Sequence, residues 1–198
     1  MKRTLSVTLS AVALTAALTV PTSSEAATVN GFAFKPGDIL ITKSSSSYGL
    51  TGHSGIVLPD GKSVLHIQGP GKYATKLTIA QWLSSTKYPK TKVVRSNSST
   101  QAAKAAAWGK KYYLEGKGRY TKYFVDAQPR SLTRTYCSEI VWQSYYYGAG
   151  KAYKSSRFVD GTRPRIEWDD RGIIKPYSYT ESGMQKYNGF KTVKSFKW

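Results

Sequence analysis

The sequence predicts an α+β fold, an antiparallel sheet with helices packed on it. Three observations lead there: short apolar runs punctuated by Gly, Pro and Asp, an Ala-rich stretch opening at serine, and an apolar-aromatic segment running from Thr135 to Gly148. The chain has 198 residues, of which 40% are hydrophobic and 13% aromatic. That is enough apolar surface for one globular domain and too much for a disordered chain. A lone cysteine, Cys137, excludes an intramolecular disulfide, so the fold must rest on its core.

Lys2 and Arg3, the apolar stretch Leu9 to Val20 and the small-x-small Ser24-Glu25-Ala26 read as a signal peptide over residues 1–26, cleaved after Ala26 or Ala27. The apolar stretch is too short for a membrane span. The mature chain, residues 27–198, is then a secreted single domain without internal repeats, retained at the cell wall if its charge has a partner there. The full chain carries +19 and the mature one +18, 28 basic against 10 acidic groups. Such an excess is either a solvated surface or an attraction for a polyanion such as a wall polymer, anionic lipid or nucleic acid. The lysines are dispersed and form no run, so nothing marks a specific nucleic-acid partner.

Along the chain, Phe34-Lys35-Pro36-Gly37-Asp38 reads as a turn feeding a buried strand, Ile39-Leu40-Ile41. Gly55 to Leu58 and Ser63 to Ile67 flank Pro59-Asp60-Gly61-Lys62, a hairpin signal. Closing it at Asp60-Gly61, with Pro59 opposite Lys62, sets His53 opposite Gln68 and Gly55 opposite His66. One face then holds Ile56, Leu58, Leu65 and Ile67, and the other is a polar side gathering His53, His66 and Gln68. The two imidazoles become diagonal neighbours, within reach of each other. Thr78 and Gln81 have capping-box spacing for a short helix carrying Trp82 and Leu83. Val93 and Val94 suggest a further strand. Ser98 or Ser99 can cap a helix from Thr100 to Leu114, weakened at its centre by Gly109. A second helix begins near Thr135, runs through Cys137, Ile140, Val141, Trp142 and Tyr145, and ends at Gly148 as its C′ glycine. Phe190 to Trp198, interspersed with Lys191, Lys194 and Lys197, reads as a lysine-protected edge strand. The tyrosines at 112–113 and 145–147 read as core and cleft wall.

Cys137 in the first turn of its helix is either a buried structural thiol or a nucleophile whose pKa the helix N-terminus lowers. His53 and His66 are the only histidines. Cysteine, imidazole and a polar orienting group suffice for thiol catalysis. A zinc site would need a fourth ligand and has no recognisable spacing, so neither a metal nor another cofactor is implied. Glu139 reads as a carboxylate favouring the helix start rather than a reacting group.

Gly37-Asp38-Ile39-Leu40, His53-Ser54-Gly55-Ile56-Val57 with Asp60-Gly61, and Tyr136-Cys137-Ser138-Glu139-Ile140-Val141-Trp142 together resemble the YiiX/YebB-like branch of the NlpC-type cysteine hydrolases. That branch has a circularly permuted papain-like fold in which the histidine hairpin precedes the cysteine helix, the order found here. The resemblance implies Cys137 as nucleophile, His53 as base and a polar third residue at His66. Direct hairpin pairing leaves Gln68 as the alternative. It also implies a secreted cysteine peptidase or amidase acting on a peptide or cell-wall amide bond. Two other classes compete: a secreted basic nuclease using the two histidines, and a non-catalytic wall or surface-binding module. Acyl transfer or lipid hydrolysis stays open as well, since permuted relatives include such enzymes.

Overall fold

A computed structural model of the chain describes residues 25–44, 52–153, 156–159, 163–166 and 172–198. The signal-peptide reading falls almost wholly on residues 1–24, outside the described residues. Twelve short strands and four α-helices appear among the described residues. The first strands are β1 (Thr28–Val29), β2 (Phe32–Ala33), β3 (Ile39–Thr42), β4 (His53–Val57), β5 (Ser63–Ile67) and β6 (Ala74–Thr78). Helix α1 (Ile79–Trp82), β7 (Thr91–Ser96) and α2 (Ser99–Gly109) follow. Next come β8 (Lys122–Tyr123), β9 (Arg134–Thr135), α3 (Cys137–Ala149), β10 (Ser156–Val159) and β11 (Arg163–Ile166). Helix α4 (Ser182–Asn188) and β12 (Phe190–Phe196) close the chain.

The main sheet is six-stranded and antiparallel throughout, ordered β12-β7-β3-β4-β5-β6. The α+β expectation holds, and β12 is the lysine-bearing edge strand. The hairpin keeps the expected register, with Ile56 opposite Leu65 and Val57 opposite Val64. Its turn is longer than two residues. Proline lacks the N–H needed to close a pair at Pro59, so the last ladder bond runs from the Leu58 N–H to the Ser63 carbonyl, 2.8 Å. Asp60 organises the four-residue loop by accepting from the Lys62 and Ser63 N–H groups at 2.9 Å, and Gly61 takes the left-handed conformation, φ +63°.

Both faces of the sheet are buried, which corrects the polar side expected around the histidines. Ile39, Ile41, Ile56, Leu65 and Ile67 pack under Ile140, Val141 and Tyr145 of α3. Leu40, Val57, Val64 and Val93 pack on the other side with Phe34, Ile79, Trp82 and Phe196. The strand alternation is real, but the polar residues on the second face are covered by α1 and the turn after it.

Helix α1 starts with the expected capping box, Thr78 Oγ1 accepting from the Gln81 N–H at 3.1 Å and Gln81 Oε1 from the Thr78 N–H at 2.8 Å. Ser98 caps α2, which ends at Gly109 and continues as a π-helical turn over Lys110–Glu115. Gly109 is thus not a weak helix centre but a point of close approach: a Cβ there would lie 2.7 Å from Ser144 Oγ and 3.0 Å from Leu65 Cδ2. Helix α3 begins at Cys137 and runs one residue past Gly148; the cap is Gly150, φ +65°, whose N–H returns to the Tyr146 carbonyl at 3.0 Å. Gly148 lies inside the helix because α2 crosses there, with Trp108 Cβ and the Lys104 carbonyl 2.7 Å from any added Cβ. Of the tyrosine clusters, Tyr113 and Tyr145 are core, while Tyr147 is partly exposed and none of the five lines the cleft described below.

Candidate active site

Strand β4 and the start of α3 meet at the mouth of the sheet. A cleft of about 900 Å³ opens there, lined by His53 and Gln68 from the hairpin and by Tyr136, Cys137 and Ser138 from the α3 start. Cys137 occupies N1, the first helical residue, and is almost fully buried.

The histidines are joined directly. His53 Nε2 and His66 Nδ1 are 2.9 Å apart, so the diagonal pairing expected from the register is realised and His66, rather than Gln68, contacts His53. Gln68 remains on the cleft wall. The pair is only 4% and 3% exposed, enclosed by aromatic rings. Trp82 stacks on His53 with centroids 5.5 Å apart and meets His66 edge-on at 5.5 Å; Tyr88 lies 4.9 Å from His53. Trp82 is itself fixed, its indole N–H donating to Thr91 Oγ1 at 3.1 Å.

This enclosure sets the protonation states. Burial, and secondarily the charge of His66, holds the His53 pKa down at about 3. Burial and then the Lys87 ammonium hold His66 at about 4. Both imidazoles are neutral at pH 7, so their hydrogen bond joins one N–H donor to one bare nitrogen. If His53 Nε2–H donates, His53 Nδ1 is left as a free base and His66 carries its proton on Nε2. That nitrogen is buried without a hydrogen-bond partner among the described residues, and the His66 ring stands nearly perpendicular to those of Trp82 and Tyr88. In this tautomer His53 can accept a proton at Nδ1.

The thiol departs from expectation. Burial raises the Cys137 pKa above its usual value, and the Ser54 and Ser138 N–H groups and hydroxyls beside the sulfur offset only part of that. The helix start is present, but a dry site outweighs it, and the resting pair is neutral thiol and neutral imidazole. Glu139 also differs. Burial and then the Asp126 carboxylate push its pKa to about 9, so it is a neutral acid at pH 7 and not an anion on the helix start.

A strap that sequence reasoning did not identify crosses the α3 start. The Ile174 N–H donates to Tyr136 Oη at 2.7 Å, Ser138 Oγ donates to the Ile174 carbonyl at 2.5 Å, and Tyr179 Oη donates to the Ser138 carbonyl at 3.3 Å. The two residues flanking the cysteine thus hold both backbone polar groups of one strap residue, Ile174, and the strap forms a wall of the cleft through Ile173, Ile174 and Tyr177. The remaining walls mix apolar and aromatic side chains, Pro70, Tyr88, Tyr123 and Val125, with polar and charged ones, among them Thr86, Lys87, Lys175 and Glu181.

Residues 4–163 match the family described as lipoprotein N-acylation protein LnsA-like. The chain belongs to this LnsA-like family. It is 33% identical over 166 residues to an uncharacterized 30.3 kDa protein of Bacillus thuringiensis, covering 79% of this chain and 56% of that relative. The chain therefore spans little more than half the length of that curated relative. Its fold is shared with the metalloprotein YiiX from Escherichia coli O157:H7, with a TM-score of 0.57, 22% identity and coverage of 82% of this chain and 97% of that one. The LnsA-like chain thus has the YiiX-like fold, as the ordered motifs implied. Among its described residues no three His, Cys, Asp or Glu side chains gather as metal ligands, and each histidine already spends one nitrogen on the other, so these residues do not fit a metal centre.

Proposed function

We propose that this protein is an exported thiol enzyme that transfers an acyl group through a thioester on Cys137, with His53 as base and His66 as the residue that orients it. The observation carrying the proposal is the 2.9 Å bond between His53 and His66 in the cleft that Cys137 opens onto. The Cys137 proton passes to His53 Nδ1 as the sulfur attacks the acyl carbonyl, so charge separation arises only along the reaction path. The oxyanion forms at the α3 start, where the Cys137 N–H is unpaired within the helix and the Ser54 hydroxyl, beside the sulfur, has no other partner among the described residues. The leaving group takes the proton from His53, and a thioester remains. His53 then deprotonates the acceptor, an amine or water, whose attack releases the acyl group and restores the thiol.

The family description supports acyl transfer, and the cleft chemistry supports an aliphatic acyl donor. Tyr88, Tyr123, Val125, Ile173 and Tyr177 offer apolar contact to an acyl chain. A cell-wall peptide amide is the second donor to be tried, since the same chemistry cleaves it. The nuclease reading is disfavoured because two imidazoles bonded ring to ring cannot stand on opposite sides of a phosphate. Turnover of a short-chain acyl ester tests the reading. Cys137→Ser and His53→Ala should each lower it by about 10³-fold or more, and the double variant should be no worse, since the two act as a unit. His66→Ala should lower turnover strongly while Gln68→Ala stays near normal. Full activity in folded Cys137→Ser would end the thiol mechanism.

A further inference from the structure

Five of the seven large apolar residues most exposed among the described residues lie on or next to segments that line the cleft, those of Pro70, Tyr123, Val125 and Ile173. Tyr120 is 64% exposed, Ile173 50%, Tyr73 and Phe124 49% each and Val125 43%. Outside this group only Tyr147 and Tyr187 are comparably exposed among the described residues. Tyr73 pairs with Tyr120, edge to face with centroids 6.2 Å apart, and Val125 shares the cleft lining with Ile173. The strip continues from Tyr120 through β8 to Phe124 and Val125, and the Gly172 N–H donates to the Ala127 carbonyl at 2.9 Å, which brings Ile173 alongside.

Cations stand among these residues. The Arg119 guanidinium lies 4.6 Å from the Tyr120 ring centre and that of Arg134 4.5 Å from the Phe124 ring centre. Lys122 pairs in register with Arg134 across β8 and β9, so two exposed cations sit side by side, and Lys72 and Lys175 are exposed on the flanking segments. The acids nearby are Asp126, already paired with Arg134 at 3.3 Å, and Glu181 on the cleft wall. Exposed aromatic and aliphatic groups ringed by cations match the headgroup boundary of an anionic bilayer, where rings bury and cations meet phosphate. A soluble polyanion would satisfy the cations and leave the rings in water.

We propose that this rim is a docking surface for an anionic lipid bilayer, which seats the mouth of the cleft on the membrane. The surface surrounds the proposed acyl-transfer site but does not depend on its chemistry. Binding is therefore measured with the Cys137→Ala protein, so that failure of docking and failure of the thiol mechanism are separate results. Sedimentation with phosphatidylglycerol vesicles at physiological salt should show binding, and phosphatidylcholine vesicles should show little. Tyr73→Ser/Tyr120→Ser/Phe124→Ser should weaken vesicle binding about tenfold or more while leaving binding to soluble polyphosphate unchanged. Lys122→Gln should weaken both, by about fivefold on vesicles. A polarity-sensitive dye on Phe124→Cys in the Cys137→Ala background should shift to the blue with phosphatidylglycerol vesicles and not with polyphosphate. The proposal is overturned if the triple serine variant binds vesicles as well as its parent, if the dye is silent on vesicles, or if phosphatidylglycerol vesicles are not bound. A polyphosphate affinity that persists in those cases would assign the charge to a wall polymer or nucleic acid.

Discussion

Burying both histidines neutral makes the fold sensitive to acid, and the size of the effect follows from the site. In the unfolded chain each imidazole has its ordinary pKa near 6.5; in the folded protein they titrate at about 3 and about 4. The unfolded state thus binds more protons below pH 6.5, and stability is lost as pH falls from there toward the folded values. At pH 5 both groups are neutral when folded and protonated when unfolded, so each costs about 2 kcal/mol, and the pair about 4, relative to pH 7.5. That sum depends on the folded values only in that both lie below 5, and it is a large share of the roughly 5–15 kcal/mol that holds a typical domain. The replacements His53→Gln and His66→Asn place an amide near each bonded nitrogen, keeping a buried polar pair without a titrating group. Urea denaturation at pH 7.5 and pH 5 should show the parent losing about 4 kcal/mol more than the double variant over this interval. Glu139 acts with the opposite sign, but it is common to both proteins and cancels in the comparison. Equal losses in the two proteins would refute the buried neutral pair.

Glu139→Gln should remove a loss of stability that sets in as pH rises above about 4.5. The folded carboxyl titrates at about 9 against an unfolded value near 4.5, so the parent should weaken by on the order of 2–3 kcal/mol from pH 6 to pH 8 and the variant should not, measured by denaturant midpoints. Gly148→Ala should destabilise by about 1–3 kcal/mol in thermal or chemical melts. The overpacking against Trp108 and Lys104 outweighs the roughly 1 kcal/mol of helix propensity that alanine adds.

Much of the site was legible because its determinants are local. Asp60, Gly61 and the alternation on either side fixed the hairpin register, and that register alone brought His53 within reach of His66. Thr78, Gln81 and Ser98 announced their helix starts through capping chemistry that needs only three residues. What could not be read depends on segments distant in sequence. The cover over the histidines is completed by Tyr88, placed by a turn without periodicity after α1, and it reverses the expected polar face. The strap over α3 is held by Tyr136 and Ser138 to a backbone group 36 or more residues away, for which no pattern exists. Gly148 had the signature of a helix cap, and only the crossing of α2 reveals why glycine stands there.

The central claim is that the acyl group rests on Cys137 during turnover. Rapid acid quenching of the protein with a short-chain acyl ester, followed by peptide mass spectrometry, tests it directly. The account predicts an adduct of the acyl mass on the peptide containing Cys137, labile to hydroxylamine and absent in His53→Ala. Sustained turnover in Cys137→Ala would contradict it.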